Sequence, residues 1–420
     1  MGLMVCLIAS LMALSGCQAA GSLPGVIHLT LWQGVNPPAN RDVLQKLVDQ
    51  FNQTHPTIQV ESLYVGQGDQ QMPKILAAVV GNTPPNLLWY APMITGQLVE
   101  LDAILPLEDW LTTRPVKAEI DPALMAAIAW ENHIWAIPFD VNNVGIFYRP
   151  SLFEAAGITA IPKTWDELRQ VAKQLTQPAN NQHGMVLPLG KGEWTVFTWL
   201  PFMWGGGGEL VSPELGSNRP QVQLANDGAI AALQLWQNLI SDGSAVLSQP
   251  ERGYELDGFL AGKVAMQITG PWTLGQLQDS GMTDFAVMPI PSGIRSATSL
   301  GGENLFIFKT TPAEEQAAKV FAEYVLSASF QTEWAVGTGY LPVNLKSRQS
   351  PAYQDFIAKQ PVLKVFLQQA QYGRSRPIFP GYNRISENLG RAIESALLQK
   401  STPEEALQTA QRRIDLALGQ

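Results

Sequence analysis

The stretch 130–150, WENHIWAIPFDVNNVGIFYRP, constrains the fold more than any other part of this sequence. Two apolar segments with strand-like composition enclose the polar break PFDVNN. Pro138 fixes its own φ, lacks a backbone N–H donor and favours extended backbone at the residue before it. Asp140 and Asn142 then offer turn-forming polar groups that a ligand can contact. The pattern predicts a strand that stops at a polar break and then resumes as a strand.

Two structures fit such an interrupted strand. The first is a hairpin, which the local sequence alone favours. The second is a crossing between two domains. The surroundings favour the crossing, because long segments with mixed strand and helix signals lie on both sides of 130–150. The length of 420 residues is also typical of two domains with large cores.

The N-terminal segment predicts export. Residues 1–20 are apolar, and their hydrophobic run is short for a membrane span but typical of a signal-peptide core. The tetrapeptide LSGC forms a lipobox, which predicts a signal peptide over 1–16, lipidation of Cys17 and a flexible tether over 17–25. The segment lacks the basic residues that are usual at the start of a signal peptide. A buried N-terminal helix is the alternative.

Composition excludes several classes of function. Cys6 and Cys17 are the only cysteines, so the mature body has no disulfide and no cysteine metal site. The histidines lack the spacing of a metal cluster, and we expect neither a metal nor another cofactor. They are His28, His55, His133 and His183. The net charge of −9 argues against nucleic acid as a partner.

Strand and helix signals alternate through residues 26–90 in the order β-α-β-α-β. This order predicts a parallel sheet, and ligands of such sheets bind beyond the carboxyl ends of the strands. Trp32 and Gln33 end the first predicted strand and Tyr90 ends the third, which places all three at the mouth of a predicted cleft. Core packing is the alternative for the two aromatic residues.

Tryptophans are concentrated in residues 194–204, WTVFTWLPFMW, directly before the glycine run 205–208. No Gly-Lys-Ser/Thr follows the glycines, which argues against a nucleotide-binding phosphate loop. We expect Trp194 or Trp204 to contact a ligand at the edge of the cleft. Core packing is again the alternative for each of them.

Two further turns are expected to border the same cleft. A Gly-Pro turn at a strand end presents the indole of Trp272, whose faces can stack on the C–H faces of sugar rings. Further along, Gly302 lets the backbone approach a ligand closely, while Glu303 and Asn304 can bond to hydroxyl groups. A β-bulge without any ligand is the alternative for this second turn.

Several short motifs occur together and in a fixed order along the chain. They are FNQTHP followed by IQV (51–60), GNTPPN (81–86), PKTWDEL (162–168), FLAGKVAM closed by GPW (259–272) and GYLPVN (339–344). In these motifs and in 130–150 the chain resembles the family 1 extracellular solute-binding proteins of ABC importers. That group includes maltose-binding and glycerol-3-phosphate-binding members. The resemblance covers nearly the whole mature chain.

The resemblance implies an α/β fold, a two-lobe clamshell of the periplasmic-binding-protein type with three interdomain crossings. The first lobe is expected to comprise 26–140 plus 300–328, and the second lobe 141–299 plus 329–420. The stretch 130–150 is then the first crossing.

The same resemblance implies a function. The protein is expected to capture a sugar, glycoside or polyol between its lobes and to deliver it to the transmembrane subunits of an ABC permease. No chemistry on the substrate is implied. The expected state is a monomer that is held outside the cytoplasm by the lipid on Cys17.

The resemblance also singles out residues for the site. Tyr90 falls where maltose-type members carry a sugar-stacking aromatic, and Tyr340 falls in a loop whose tyrosine often meets ligand. Arg384 occupies the region where glycerol-phosphate-binding relatives carry a phosphate-contacting arginine, although it can equally bind sugar hydroxyls or a structural carboxylate. Asn86 and Asn142 stand where relatives often carry acids, which argues against a direct transfer of maltose specificity.

Two other classes of function remain open at the level of sequence. An exported glycoside-processing enzyme would use Asp140, Glu193 and Glu303 as candidates for a carboxylate pair. Hydrolysis needs two carboxyl groups held at a defined separation across the bond, and no spacing in the sequence enforces one. The other class is a lipoprotein that binds sugar in order to signal.

Overall fold

The computed structural model describes residues 25–212, 221–248 and 255–419. The predicted signal peptide, Cys17 and all of the predicted tether except Gly25 lie outside these residues. No helix in the described ranges is both long enough and apolar enough to span a membrane.

The strands are short and are distributed along the whole described chain. They are β1 (Ile27–Gln33), β2 (Ile58–Tyr64), β3 (Leu87–Tyr90), β4 (Ala129–Trp130), β5 (His133–Ile134), β6 (Ile137–Pro138), β7 (Asn142–Asn143), β8 (Gly145–Tyr148), β9 (His183–Leu187), β10 (Val211–Ser212), β11 (Gln221–Val222), β12 (Ala245–Leu247), β13 (Val264–Thr269), β14 (Ala286–Met288), β15 (Thr298–Gly301), β16 (Asn304–Ile307) and β17 (Gly373–Arg374).

Helices separate most of these strands and form the whole C-terminal part. They are α1 (Pro38–Thr54), α2 (Gly68–Val80), α3 (Thr95–Glu100), α4 (Glu108–Thr112), α5 (Pro122–Ala127), α6 (Pro150–Ala155), α7 (Trp165–Leu175), α8 (Glu193–Gly205), α9 (Asp227–Ser241), α10 (Asp257–Leu260), α11 (Leu274–Asp279), α12 (Pro312–Leu326), α13 (Ala328–Thr338), α14 (Leu345–Gln349), α15 (Pro351–Lys359), α16 (Leu363–Gln369), α17 (Tyr382–Leu397) and α18 (Pro403–Leu418). Single 3₁₀ turns occur at Pro92–Ile94, Pro115–Glu119, Pro178–Asn180, Pro271–Thr273 and Ala370–Tyr372.

Local sequence sets several of the helix starts. Thr164, Thr311 and Thr402 each form a capping box, in which the threonine hydroxyl accepts a bond from the backbone N–H of a glutamate three residues later. The glutamate carboxylate accepts the backbone N–H of the threonine in return. A Thr-x-x-Glu pattern therefore sets the starts of α7, α12 and α18.

Two five-stranded sheets share one plan. The first has the order β2-β1-β3-β16-β6, and the second has the order β12-β9-β13-β8-β14. In each sheet the first three strands run parallel to one another. The fourth strand runs antiparallel to them, and the fifth strand, at the edge, pairs antiparallel with the fourth. The parallel trio β2-β1-β3 is the β-α-β-α-β unit that the sequence predicted.

The stretch 130–150 connects the two sheets. Strand β6 belongs to the first sheet and β8 belongs to the second, while β7 lies between them in a small separate sheet with the order β17-β15-β7. We call this small sheet the central ribbon. The chain therefore passes from the first sheet to the second within this stretch, as the crossing interpretation expects, and a tight hairpin also lies at its start, where β4 pairs with β5. The chain returns by the same route, from β14 in the second sheet through β15 in the ribbon to β16 in the first.

The hydrophobic cores divide the chain differently from the predicted boundaries at one place. Phe330, Trp334 and Val343 pack in the same buried cluster as Leu29 and other residues of the first sheet. Leu363 and Phe366 pack with Phe147 of the second sheet. Helix α13 was predicted to belong to the second lobe, but it packs on the first. We therefore propose that the third crossing lies between Val343 and Leu363, rather than near 327–331.

The two lobes also touch on the side of the cleft away from the ribbon. The backbone N–H of Gly96 donates to the carbonyl oxygen of Ile378 at 2.9 Å. A Cβ on Gly96 would lie 2.4 Å from the backbone nitrogen of Pro380, a distance that no side chain tolerates. The amide of Asn383 donates to the side-chain oxygen of Gln97 beside this contact. The two lobes are thus in direct contact at this point.

Candidate binding cleft

An inner cavity of about 180 Å³ lies between the two lobes, and an outer chamber of about 650 Å³ adjoins it. Tyr90, Glu193 and Trp194 line both spaces, so the two form one continuous cleft. The inner cavity is lined by the residues Gly34, Asn36, Pro37, Gln67, Gly68, Gln71, Trp89, Tyr90, Ala91, Met93, Asn142, Glu193, Trp194, Phe197, Glu255, Leu256, Thr269, Trp272, Thr273, Gln276, Gly301, Gly302, Glu303, Tyr340 and Arg376.

The floor of the cavity is formed where the chain crosses between the sheets. Gly301 pairs with Asn142 in the ribbon, and Gly302 follows with a φ of 115°. A Cβ on Gly302 would lie 2.2 Å from the carbonyl oxygen of Asp140. Only glycine fits both this conformation and this approach. The close contact of the two crossings leaves Glu303 at the wall of the cavity.

Asp140 and Glu303 form a buried carboxyl pair. The Oδ1 atom of Asp140 accepts the backbone N–H of Glu303 at 3.0 Å, and its Oδ2 atom accepts the indole N–H of Trp334 at 3.1 Å. Burial raises the pKa of Asp140 to about 6. Burial, and then the negative charge of Asp140, raise the pKa of Glu303 well above its usual range. The pair therefore holds a proton under conditions in which isolated carboxyl groups have lost theirs.

Aromatic rings form another part of the cavity wall, beside the carboxyl pair. Trp272 meets Trp194 edge to face at a centroid distance of 6.0 Å, and it meets Tyr340 at 6.2 Å. Tyr340 in turn stacks on Trp334 at 5.5 Å. A Cβ on Gly270 would lie 2.0 Å from the Trp272 ring, so the predicted Gly-Pro turn is what makes room for this indole. The rings support one another and present fixed faces to the cavity.

A second polar group lies in the second lobe. The Nη1 atom of Arg376 is 2.6 Å from the Oε1 atom of Glu193. The Tyr382 hydroxyl donates to the same carboxylate at 3.1 Å, and the Ser386 hydroxyl also donates to it. The guanidinium of Arg376 lies over the ring of Phe197, 4.5 Å from its centroid. Arg376 is almost completely buried, so this ion pair is shielded from solvent.

The structure brings about half of the sequence-predicted site residues to the cavity wall. These are Tyr90, Asn142, Trp194, Trp272, Gly302, Glu303 and Tyr340. Their contact with a ligand stays a prediction. Asp140 does not line the cavity, because it lies behind Glu303 and is occupied by the backbone N–H and the indole described above.

Three of the predicted residues at strand ends do not line the cavity. The Oε1 atom of Gln33 accepts the backbone N–H of Val35 at 2.8 Å, so this side chain stabilises its own turn. Trp32 points to the other side of β1 and packs against the core. Asn304 is buried in the first sheet, opposite Tyr90 on β3.

Two predicted site residues are wrong in position. Trp204 is buried in the second lobe, because α8 is covered on all sides, and Arg374 lies 5.5 Å from its ring centroid. Arg384 is on the outward face of α17, where it is exposed and donates to the carbonyl oxygen of Ala417 at 3.0 Å. The arginine at the cavity is Arg376. No sequence motif marked it, because its position depends on the packing of distant segments.

Two of the three carboxyl groups considered for hydrolysis are already occupied. Asp140 accepts two hydrogen bonds from the protein and lies behind the wall, and Glu193 is held by Arg376, Tyr382 and Ser386. Neither is left to act as nucleophile or base across a bond. Within the described ranges, no group of histidine, cysteine, aspartate and glutamate side chains could hold a metal ion.

A model of the family described as bacterial extracellular solute-binding protein matches residues 46–360, which is well over half of the chain. The maltotriose-binding protein of Pyrococcus abyssi is 22% identical over 375 residues, which cover 88% of this chain and 77% of that protein. The sn-glycerol-3-phosphate-binding periplasmic protein UgpB of Salmonella typhimurium is 22% identical over 415 residues, which cover 93% and 92% of the two chains.

Solved structures share this fold. An ABC transporter solute-binding protein from Thermotoga lettingae, bound with α-D-tagatose, superposes with a TM-score of 0.82 and 23% sequence identity. The match covers 93% of this chain and 99% of that one. The predicted α/β two-lobe fold is thereby confirmed.

Proposed function

Because this chain belongs to the bacterial extracellular solute-binding proteins, we propose that it captures a sugar, glycoside or polyol in the cleft between its lobes. It then delivers this ligand to the transmembrane subunits of an ABC permease. Proteins of this family are extracytoplasmic binding proteins, so no chemistry on the ligand is involved.

The observation that carries this proposal is that aromatic rings and polar groups share the wall of the inner cavity. Trp272, Trp194 and Tyr340 provide the rings, and Asn142 and Glu303 provide polar groups. A sugar has apolar C–H faces and a rim of hydroxyl groups, so it matches both kinds of group. One relative carries the name maltotriose-binding protein and one similar solved structure is bound with α-D-tagatose, and both support a carbohydrate ligand.

The charges of the site favour a sugar or polyol without phosphate, although one relative binds sn-glycerol 3-phosphate. Arg384, which the sequence offered as a phosphate contact, lies on the outer surface. Arg376 is already paired with Glu193 at 2.6 Å. A phosphate in the cavity would also face the buried carboxyl pair, and like charges in a poorly solvated site repel strongly.

We also propose that Cys17 carries the lipid that anchors the protein outside the membrane. The support is the LSGC tetrapeptide after an apolar segment. The full chain expressed in a bacterium should partition into a detergent phase, and a Cys17→Ala variant should partition into the aqueous phase. Equal partitioning of both proteins would contradict the anchor and leave the binding function untouched.

The binding function is tested by a thermal-shift screen of the protein starting at Gln18. The compounds are sugars, glycosides, polyols and glycerol phosphates. A ligand that binds only the folded state stabilises it by about 2.7 kcal/mol at a hundredfold excess over Kd. We expect one carbohydrate class to raise the melting temperature. No shift with any compound, together with measurable cleavage of glycosides, would replace the proposal by the enzyme alternative.

A further inference from the structure

The cavity is acidic once its internal ion pair is taken into account. Arg376 is the guanidinium at its wall, and Glu193 neutralises that charge at 2.6 Å. Glu303 at the wall and Asp140 directly behind it form a second acidic group, and Glu255 is a further carboxylate in the wall. A neutral ligand would leave this group unmatched, and an anionic ligand would oppose it.

A hydrogen-bond acceptor without a partner and a negative charge lie at the same place. The Oδ1 atom of Asn142 is buried and has no hydrogen-bond partner among the described residues. Glu303 forms a hydrogen bond with Asp140, and the two carboxyl groups hold one proton between them, so the pair keeps a negative charge. Both Asn142 and Glu303 line the cavity. A buried acceptor without a donor is costly, and so is a buried charge without a counter-charge. The floor of the cavity therefore lacks a group that donates several hydrogen bonds and carries positive charge.

An ammonium group has these properties. It offers three N–H donors and no acceptor, and it binds over aromatic rings as well as beside carboxylates. The rings of Trp272 and Tyr340 lie in the wall of the same cavity as Glu303. A cation suits this combination of a carboxyl pair, an amide oxygen without a partner and aromatic faces. A hydroxyl group would donate only one hydrogen bond and would leave the negative charge of the pair without a counter-charge.

We propose that the captured carbohydrate carries a protonated amino group, which is bound by the Asp140–Glu303 pair and Asn142 at the floor of the cavity. This inference rests on the proposed capture function, since it specifies the chemical class of the ligand of that same site. Amino sugars and glycosides with a basic nitrogen belong to this class.

Binding of such a cation displaces a proton. In the free protein, burial raises the pKa of Asp140 to about 6 and that of Glu303 well above its usual range. The charged groups that face the pair are Arg376, which lowers the pKa of Glu303, and Tyr340, whose own pKa is raised by burial and then by the two carboxyl groups. An ammonium beside the pair favours its ionised form, so the proton leaves to the buffer.

The test compares amino sugars with neutral partners of the same shape by isothermal titration calorimetry. The pairs are glucosamine with glucose, galactosamine with galactose, and the glucosamine disaccharide with its N-acetylated form. Titrations are made at about pH 6.5, where an amino group is protonated, in two buffers of different ionisation enthalpy. We expect an amino member to bind at least tenfold more tightly than its neutral partner and to release a proton.

The outcomes separate the two proposals. Equal or tighter binding of the neutral member in every pair that binds would overturn this inference and leave carbohydrate capture standing. Binding of an amino sugar without release of a proton would also overturn it. Binding of neither series, with no response to any carbohydrate in the thermal-shift screen, would overturn the capture function as well.

A matched pair of variants assigns the selectivity to the floor. Glu303→Gln keeps the shape of the side chain and removes its charge, so the ratio of amino-sugar affinity to neutral-sugar affinity should fall towards one. Glu333→Gln removes a carboxylate outside the cavity, 3.3 Å from Lys46, and should leave this ratio unchanged. An unaltered ratio in Glu303→Gln would contradict the inference. The proton measurement on the unaltered protein remains valid even if that variant does not fold.

Discussion

The backbone N–H of Glu303 donates to the Oδ1 atom of Asp140 at 3.0 Å, and this bond joins the first crossing between the lobes to the second. The same aspartate accepts the indole N–H of Trp334 at 3.1 Å, which adds helix α13 to the junction. One buried carboxylate thus fixes three segments that are far apart in sequence. Its ionisation is therefore tied to the integrity of the floor of the cleft.

The first prediction concerns the pH dependence of stability. The pKa of Asp140 is about 6 in the folded protein and about 3.9 when unfolded, so the folded state binds more protons between these values. The free energy of unfolding should therefore fall as pH rises from about 4 to about 6, by roughly 3 kcal/mol at most for this group. Glu303→Gln should reduce the overall fall, because it removes the second carboxyl group of the pair, whose pKa is also raised above its usual range in the folded protein.

Urea unfolding at about pH 4.5, 5.5 and 7 measures this difference. Carboxylates held below their usual pKa by hydrogen bonds and ion pairs, such as Asp242, act in the opposite direction at low pH. These carboxylates are present in both the unaltered protein and Glu303→Gln, so their contributions to stability cancel when the two pH profiles are compared. Glu333→Gln serves as the control and should keep the pH profile of the unaltered protein. Identical profiles in all three proteins would show that the pair does not titrate as described.

The second prediction concerns the aromatic side of the cavity. Trp272→Ala should lower the affinity for the ligand by about thirtyfold, or about 2 kcal/mol, because a large ring that supports two others is lost from the wall. Trp110→Ala is the control, since Trp110 is also only partly buried but packs in the first lobe away from the cavity. Calorimetry should find the affinity of the control unchanged. Equal losses in both variants would indicate general destabilisation.

The third prediction distinguishes the roles of Arg376 and Arg384. Arg376→Met should destabilise the protein by about 3 kcal/mol, because it leaves the carboxylate of Glu193, whose side chain is only 15% exposed, without its cation. Arg384→Ala should change both stability and ligand affinity very little, since that side chain is exposed and its hydrogen bond is to a helix-end carbonyl. Urea unfolding and calorimetry of both variants check this. A large loss of affinity in Arg384→Ala would restore the arginine role that the sequence suggested.

The fourth prediction concerns closure. Gly96→Ala places a Cβ 2.4 Å from the backbone nitrogen of Pro380, so the two lobes should no longer meet as they do here. We expect at least a tenfold loss of affinity and a larger radius of gyration in solution with ligand present. Gly205→Ala is the control, because its Cβ would find its nearest neighbour at an ordinary 3.4 Å. Unchanged affinity in Gly96→Ala would show that this contact is not needed for the bound state.

The sequence predicted those features that depend on neighbouring residues. The capping boxes at Thr164 and Thr402 are encoded within four residues, and the break at Pro138 is visible in the strand that it interrupts. The family motifs then predicted which segments of the chain belong to which lobe. Trp272 and Glu303 were found in this way, because each follows a turn whose chemistry is local.

What the sequence could not show depends on packing between distant segments. Arg376 reaches the cavity because Glu193, nearly two hundred residues earlier, lies opposite it. Trp204 belongs to the core because α8 is covered on every side, and its uniform apolarity gives no face that points to a ligand. Helix α13 sits with the first lobe through Trp334, which binds Asp140 across a long stretch of chain.

The central ribbon also determines how individual contacts contribute to the rates of binding. If the lobes rotate about this ribbon, the ribbon is the hinge of the motion. Residues near a hinge move little, whereas residues at the rim of the cleft move far. Asn142 and Gly301 belong to the ribbon, whereas Lys191 and Asn383 lie in the outer chamber. Changes at the floor should then alter the first encounter with the ligand, and changes at the rim should alter mainly its escape. Recognition and retention are in this way assigned to different ends of one cleft.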